Sequence, residues 1–275
     1  IIWIAESDDY CDQNFLEKLV LCFDDEAVLL AYANTEFVQA DETAMADGFW
    51  HHVKSLDCRN KWKKSYVNTA HKEVSDSLGV LNTIPNASGA IFRNPLKMPL
   101  LEDEKWLSMR VAGDWVFYLH LLRGGKIAFS TETNSYFRRY IGSTAEKTYQ
   151  KEIFYRELTV AAKTVQSLYN TPYSVIEGFR RSVKESYDYH VGHSDDEFNE
   201  WCNIDEILAS REERTPNIAV STMGFYPGGA EILPIRMANE FKRQGHSVVL
   251  LSAGHGQRED GVRRLLRKDI PIIET

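Results

Sequence analysis

The chain has 275 residues, 43% hydrophobic and 26% charged, with a formal net charge of −8. That balance describes an ordinary globular protein able to bury a sizeable core, as one large unit or two smaller ones. The acidic excess argues against nucleic acid as a partner, no apolar run is long enough to span a bilayer, no signal-peptide pattern leads the chain, and Cys11, Cys22, Cys58 and Cys202 lack the spacing of a zinc site and read as reduced cytosolic thiols.

Ile1 to Ala5 is a short apolar run that reads as a buried strand, and it ends in Glu6, Asp8 and Asp9. Carboxylates crowded at a strand end repel one another unless a positive group sits among them. Open α/β sheets bind ligands at such ends, and hard oxygen donors suit Mg²⁺ or Mn²⁺ with phosphate completing the shell. The plain alternative is an acidic turn before a helix capped by Asp12 or Asn14. Phe15, Leu16, Leu19, Val20 and Phe23 recur at helical spacing, and Val28 to Ala33 is a second strand. Residues 34–70 read as irregular, with the adjacent His51 and His52 taken as surface or partly packed imidazoles, because neighbours point in different directions. Lys72 to Leu81 is a predicted helix ended by Ile84-Pro85.

Asn86 to Gly89 forms a small-residue turn into the short strand Ala90 to Phe92, which finishes on Arg93. Gly89 permits close backbone approach by a ligand, and Arg93 can pair with phosphate or carboxylate through its planar fork; a tight turn with a solvated arginine fits the same residues. Gly113-Asp114-Trp115 opens a helix that Gly124-Gly125 closes, and Lys126 to Ser130 returns as a strand. Asp114 sits at an N-cap position, where a cap and a functional carboxylate can coincide.

From about Ala145 to Ser210 the chain reads as helical, with its aromatics as core, and Arg211 to Pro216 is a linker. Asn217 then opens a new unit: strand Ile218 to Val220, a Met223 to Gly229 loop, helix Ala230 to Gln244, strand Ser247 to Ser252, helix Asp260 to Lys268 and strand Pro271 to Glu274. This is the β-α-β-α-β opening of a Rossmann-type domain. Gly228 and Gly229 let the backbone approach a bound group at the helix start, although the pattern is not GxGxxG. A chain that starts and stops inside strands is expected to be a piece of a longer polypeptide, inactive alone.

Residues 1 to about 145 resemble the C-terminal half of a GT-A glycosyltransferase of inverting family 2. The resemblance is carried in order by Trp3-Ile4-Ala5-Glu6-Ser7-Asp8-Asp9, by Ser88 to Arg93, by Gly113-Asp114-Trp115 and by Arg138-Arg139-Tyr140. Residues 217–275 resemble the start of a GT-B glycosyltransferase of family 4 through Phe225 to Glu231, Ala238 to Phe241 and Gly245 to Val248. The implied fold class is α/β: a partial GT-A unit over 1–145, a helical extension over 146–210, a linker over 211–216 and the start of a Rossmann-like GT-B domain over 217–275. The implied activity is metal-assisted sugar transfer with inversion, from a nucleotide-diphosphate sugar to a saccharide or lipid-linked acceptor. It would serve cell-surface polysaccharide assembly in the cytoplasm, with peripheral membrane association left open. Asp8 and Asp9 would hold Mg²⁺ or Mn²⁺; Glu6, Arg93, Arg139, Gly228 and Gly229 would contact the donor; Asp114 would be the general base. Tyr140 stands where the family often carries a histidine. Two other readings stay open: a non-catalytic sugar-nucleotide-binding module, and a Mg²⁺-dependent phosphoryl-transfer enzyme, for which no P-loop lysine is found.

Overall fold

The computed structural model describes residues 1–56, 58–95, 97–139, 147–212, 214–254 and 261–274. Tyr140 and Asp260, which carry two of the sequence expectations, lie outside the described residues. Strands β1 (Ile2–Trp3) and β2 (Tyr10–Cys11) flank the acidic cluster, and helix α1 (Phe15–Val20) continues into a 3-10 turn, Leu21–Asp24. Strand β3 (Val28–Val38) runs further than its apolar stretch suggests. Residues 34–70 are more ordered than expected, with α2 (Gly48–His52) and β4 (Tyr66–Thr69). Helix α3 (Ala70–Glu73) passes into a π turn, Val74–Leu78, before β5 (Ala90–Phe92). Short α4 (Glu104–Leu107), then α5 (Gly113–Leu122), lead to the long strand β6 (Lys126–Arg138).

The first sheet has the order β1-β5-β3-β6-β2, with β4 also on β6. Strands β3 and β6 are parallel, and their neighbours run antiparallel to them. β6 serves two partners in turn: its first half pairs with β4 and its second half with β2, so residues 10–11 are carried to Ser135 and Tyr136. Alternation along β3 divides the burial. Val28, Ala31 and Ala33 join Phe15, Leu19 and Phe23 of the α1 side, whereas Leu30, Tyr32 and Phe37 face the larger core that contains α5. β1 does not meet the expectation of a buried strand. It is a two-residue edge, with Ile1, Trp3 and Ile4 exposed.

The helical extension comprises α6 (Glu152–Leu168), α7 (Tyr173–His190), α8 (Asp195–Trp201) and α9 (Ile204–Ala209). Its aromatics Phe154, Tyr155, Phe179 and Tyr187 share one core with Trp115, Leu119 and Leu122 of α5, as their apolar spacing suggested. One carboxylate ties the layers together. Glu157 of α6, almost fully buried, accepts hydrogen bonds from the consecutive backbone N–H groups of Arg110, Val111 and Ala112 at 2.7–3.1 Å. These are free N–H groups ahead of α5, where a negative charge also suits the helix dipole. Glu157, and not Asp114, therefore caps α5.

Strands β7 (Asn217–Thr222), β8 (Ser247–Ser252) and β9 (Ile272–Glu274) form a parallel sheet, and α10 (Gly229–Arg243) crosses between the first two. The expected helix over 260–268 is absent among the described residues: Arg263–Leu265 makes only a 3-10 turn, packed through Val262 and Leu266 on the α10 side. The preceding linker is held rather than loose. Arg211 donates to Gln166, Asn217 to the Leu168 carbonyl, and Arg123 to the carbonyls of Thr215 and Pro216. Gly124, at φ +74°, seats against Ser247, where a Cβ would come within 3.0 Å of backbone, and the Lys242 ammonium donates to its carbonyl at 3.1 Å.

Replacing Glu157 with Ala leaves those N–H groups, the Ala112 one buried, without their acceptor. We expect a loss on the order of 3 kcal/mol in urea unfolding, with Glu157→Gln losing less because the amide oxygen still accepts. An unchanged midpoint for Glu157→Ala would remove the clamp from the account of α5.

Candidate functional site

Three chain segments meet at the end of the sheet where β3 and β6 finish and β5 begins. Asp9 cross-links them: its Oδ2 accepts from Asn86 Nδ2 at 2.6 Å and its Oδ1 from the Arg138 backbone N–H at 3.0 Å. Ser88 binds the preceding residues, since its Oγ accepts from the Glu6 N–H at 3.0 Å and its carbonyl accepts from Trp3 Nε1 at 2.9 Å. Gly89 has a packing reason to be glycine, not a ligand one. A Cβ there would lie 2.8 Å from Asn86 Oδ1 and 3.2 Å from Ser135 Oγ.

The carboxylates differ in what they have left to offer. Asp8 is exposed and makes no hydrogen bond or ion pair among the described residues, whereas both oxygens of Asp9 are engaged. Glu6 has only the Ser88 hydroxyl beside it. Packing around its carboxyl, then the charges of Asp9 and Asp8, push its pKa up. Among the described residues no group of His, Cys, Asp and Glu side chains is gathered as a ready-made metal centre. The donor chemistry nonetheless fits a hard divalent ion: Asp8 has no partner among the described residues, and Glu6 accepts only a long bond, 3.4 Å, from the Ser88 hydroxyl. Asp9 orients the segment.

Asp114 lies in the first turn of α5 and belongs to the same electrostatic neighbourhood, because the Glu6 charge acts on it. Its Oδ1 accepts from the Trp115 N–H at 2.7 Å and its Oδ2 from Asn82 Nδ2 at 3.0 Å. Burial is the main reason its pKa is pushed up, to about 6, against the pull of those two donors. The sign follows from the linkage of protonation to folding. The folded chain binds this proton more tightly than the unfolded chain, so stability is fullest below the ordinary value of 3.8 and is lost as pH rises through about 6. A difference of about two pH units corresponds to on the order of 3 kcal/mol carried at neutral pH. A carboxylate held at that cost is a good proton acceptor near pH 7.

The remaining candidates divide. Arg93 is corrected. Its guanidinium lies at the opposite end of β5, donating to the carbonyls of Phe23, Asp25 and Val28, so it closes the turn before β3 instead of meeting a phosphate. Arg139 is exposed on the site's rim, over the Phe37 ring and hydrogen-bonded to Tyr149, and its charge acts on the half-buried imidazole of His52. Gly228 and Gly229 sit in the second unit, far along the chain. Neither has a positive φ, so their backbone conformation does not require glycine. A Cβ at Gly229 would meet nothing within 4 Å, whereas one at Gly228 would meet Glu231 Oε2. Asn82 and Glu157 were missed from sequence; the polar Asn82 just ahead of Ile84-Pro85 was the available signal.

No protein-family model matches the chain, and no curated protein matches it. Among the described residues no helix is long and apolar enough to cross a membrane.

Asp9→Ala strands the Arg138 N–H and leaves Asn86 Nδ2 with only the longer bond to Ser135 Oγ, so we expect a loss of about 1–3 kcal/mol in urea unfolding. Asp8→Ala, at an exposed position without partners, leaves the unfolding midpoint at the wild-type value. Equal losses would place both carboxylates in one structural role. Gly229→Ala, in open space at the start of α10, is expected to raise stability by up to about 1 kcal/mol through helix propensity, read by thermal melting.

Proposed function

We propose that residues 1–145, with the helical extension behind them, form the catalytic part of a metal-assisted, inverting glycosyltransferase of GT-A type, and that residues 217–275 begin a GT-B-type unit. The donor would be a nucleotide-diphosphate sugar and the acceptor a saccharide or lipid-linked hydroxyl, in cell-surface polysaccharide assembly. The observation that carries this reading is Asp114: a closely packed carboxyl raised to about 6, within the field of Glu6 and hence of the acidic strand end. Sugar transfer needs those two things at one place, a proton acceptor for the attacking hydroxyl and an anionic cradle for the ion that meets the diphosphate.

Glu6 and Asp8 would hold Mg²⁺ or Mn²⁺, which when bound neutralises the leaving diphosphate. Asp9 keeps the β1–β2 segment in register by gripping Asn86 and the Arg138 backbone. Asp114 takes the acceptor's proton as the glycosidic bond forms. Arg139, exposed on the rim, can turn from Tyr149 toward an anionic group. The engagement of both Asp9 oxygens favours one second reading, a sugar-nucleotide-binding module that does not turn over.

The test uses the protein that carries these residues and a panel of UDP-, GDP- and dTDP-sugars with Mn²⁺, followed by nucleotide release. Asp114→Asn is expected to lower turnover by about 10²–10⁴ while donor binding persists. Asp8→Ala is expected to weaken Mn²⁺-dependent donor binding. In the wild type, kcat/KM falls as pH drops below about 6, the value of Asp114. Near-normal turnover in Asp114→Asn would defeat the assignment, and donor binding without turnover in the wild type would select the second reading.

A further inference from the structure

Asn82 touches Asp114 in a way that leaves neither group free to reorganise. The Asn82 Oδ1 accepts from the Ile84 backbone N–H at 3.2 Å, and its Nδ2 donates to Asp114 Oδ2 at 3.0 Å. Turning the amide over would face its Nδ2 toward the Ile84 N–H and its oxygen toward the carboxylate, so the orientation is fixed by two donors and two acceptors. The backbone of Asn82 is held as well. Its carbonyl accepts from His52 Nε2 at 2.8 Å. A carbonyl only accepts, so the ring carries its proton on Nε2; burial, and then the Arg139 charge, hold the His52 pKa down and keep it neutral. Ile84 and Thr83, next along the chain, are fully buried.

On the other side, Asp114 Oδ1 accepts from the Trp115 N–H at 2.7 Å, and the Trp115 indole is itself pinned, donating to the Leu78 carbonyl at 2.8 Å. Each carboxylate oxygen of Asp114 thus meets a donor that cannot become an acceptor. A proton on either oxygen takes up one of its lone pairs and weakens the bond that oxygen accepts. The charged and titratable groups that act on Asp114 otherwise work the opposite way or not at all: Glu6, from the segment after β1, disfavours its ionised form, and the phenol of Tyr118, one turn along α5, stays protonated.

We propose that Asn82 is a positioning residue for Asp114: its locked amide keeps both carboxylate oxygens as acceptors in one fixed orientation and so maintains the group as a proton acceptor. The proposal rests on the reading of Asp114 as the base, and it adds the device that keeps a closely packed carboxyl ionised at neutral pH. In this arrangement the His52–Asn82–Asp114 chain links the segment that carries α2 to the first turn of α5.

The experiment is a pH titration of the 275-residue chain by NMR, with ¹³C-labelled aspartate carboxyls and ¹⁵N-labelled asparagine amides. Asp114→Asn identifies the Asp114 signal by its disappearance. In the wild type the Asp114 carboxyl is expected to titrate at about 6, and the Asn82 side-chain amide protons are expected to shift with the same midpoint. In Asn82→Ala the carboxyl midpoint is expected to move up by roughly one pH unit, because a hydrogen bond to the charged form has gone. A loss of packing alone would broaden signals or lower Tm without that directed shift. Asn82 amide protons that stay flat through the Asp114 titration overturn the proposal, and this measurement is made on the wild-type chain, with no Asn82 variant required to fold. An unmoved midpoint in a folded Asn82→Ala chain overturns it equally. Failure of the base assignment is separate, since it shows as undiminished turnover in Asp114→Asn whatever Asn82 does.

Discussion

The carboxylate of Glu157 is the contact on which the candidate site depends. It grips three successive backbone N–H groups just ahead of α5, and Asp114 follows within the first turn of that helix. A helix start left to fray would let the first turn reorient and carry the Asp114 carboxyl with it. The grip comes from α6, well beyond the residues that form the candidate site. Since the aromatics of α6 and α7 also fill the core around Trp115 and Leu119, the helical extension is part of what shapes the site. A cut after residue 145 would remove both the clamp and the α6 and α7 side of the core behind α5.

Burial and charge oppose each other at Asp114, and the balance explains its neighbours. Burial raises the carboxyl to about 6; the Trp115 N–H and the Asn82 amide restrain that rise. The donors pull the carboxyl toward its ionised form, and the packing pushes it toward the neutral acid. Glu6 contributes from the acidic end and is itself raised by its surroundings and by Asp9 and Asp8. A bound cation would relieve Glu6 directly and Asp114 indirectly, so the two halves of the site are linked through one field.

Much of this was legible in the sequence where local pattern and tertiary demand agree. The Gly113 helix, its Gly124 stop at positive φ, the helical extension and the parallel β-α-β start of the second unit follow from periodicity and breaker residues. The acidic strand end and Asp114 were visible as residue types in order. What failed to show were partnerships. Arg93 looked like an anion ligand because a strand ending in arginine is compatible with either end of a sheet, and only the antiparallel pairing of β5 with β3 turns it toward the Phe23 and Asp25 carbonyls. Asp114 looked like a cap because the true cap, Glu157, comes from another element. The Asp260 to Lys268 helix was expected from a charged, Leu-containing run, yet Val262 and Leu266 reach the core from a 3-10 turn.

The helix that carries Asp114 is also held at its other end. Arg123 and Gly124 close α5 and seat against the second unit, through the Thr215 and Pro216 carbonyls, the Ser247 backbone and the Lys242 ammonium. Burial lowers the Lys242 pKa, which is the mark of a charge drawn out of water to make that contact. At about 1.5 Å of rise per residue, α5 is a strut of roughly 15 Å, fixed to α6 at its start and to the β8–α10 unit just past its end. A residue without a Cβ at position 124 is therefore a condition of this junction, since a Cβ would press on Ser247. Placement of the Asp114 end of α5 and seating of the second unit are in this way two ends of a single mechanical constraint.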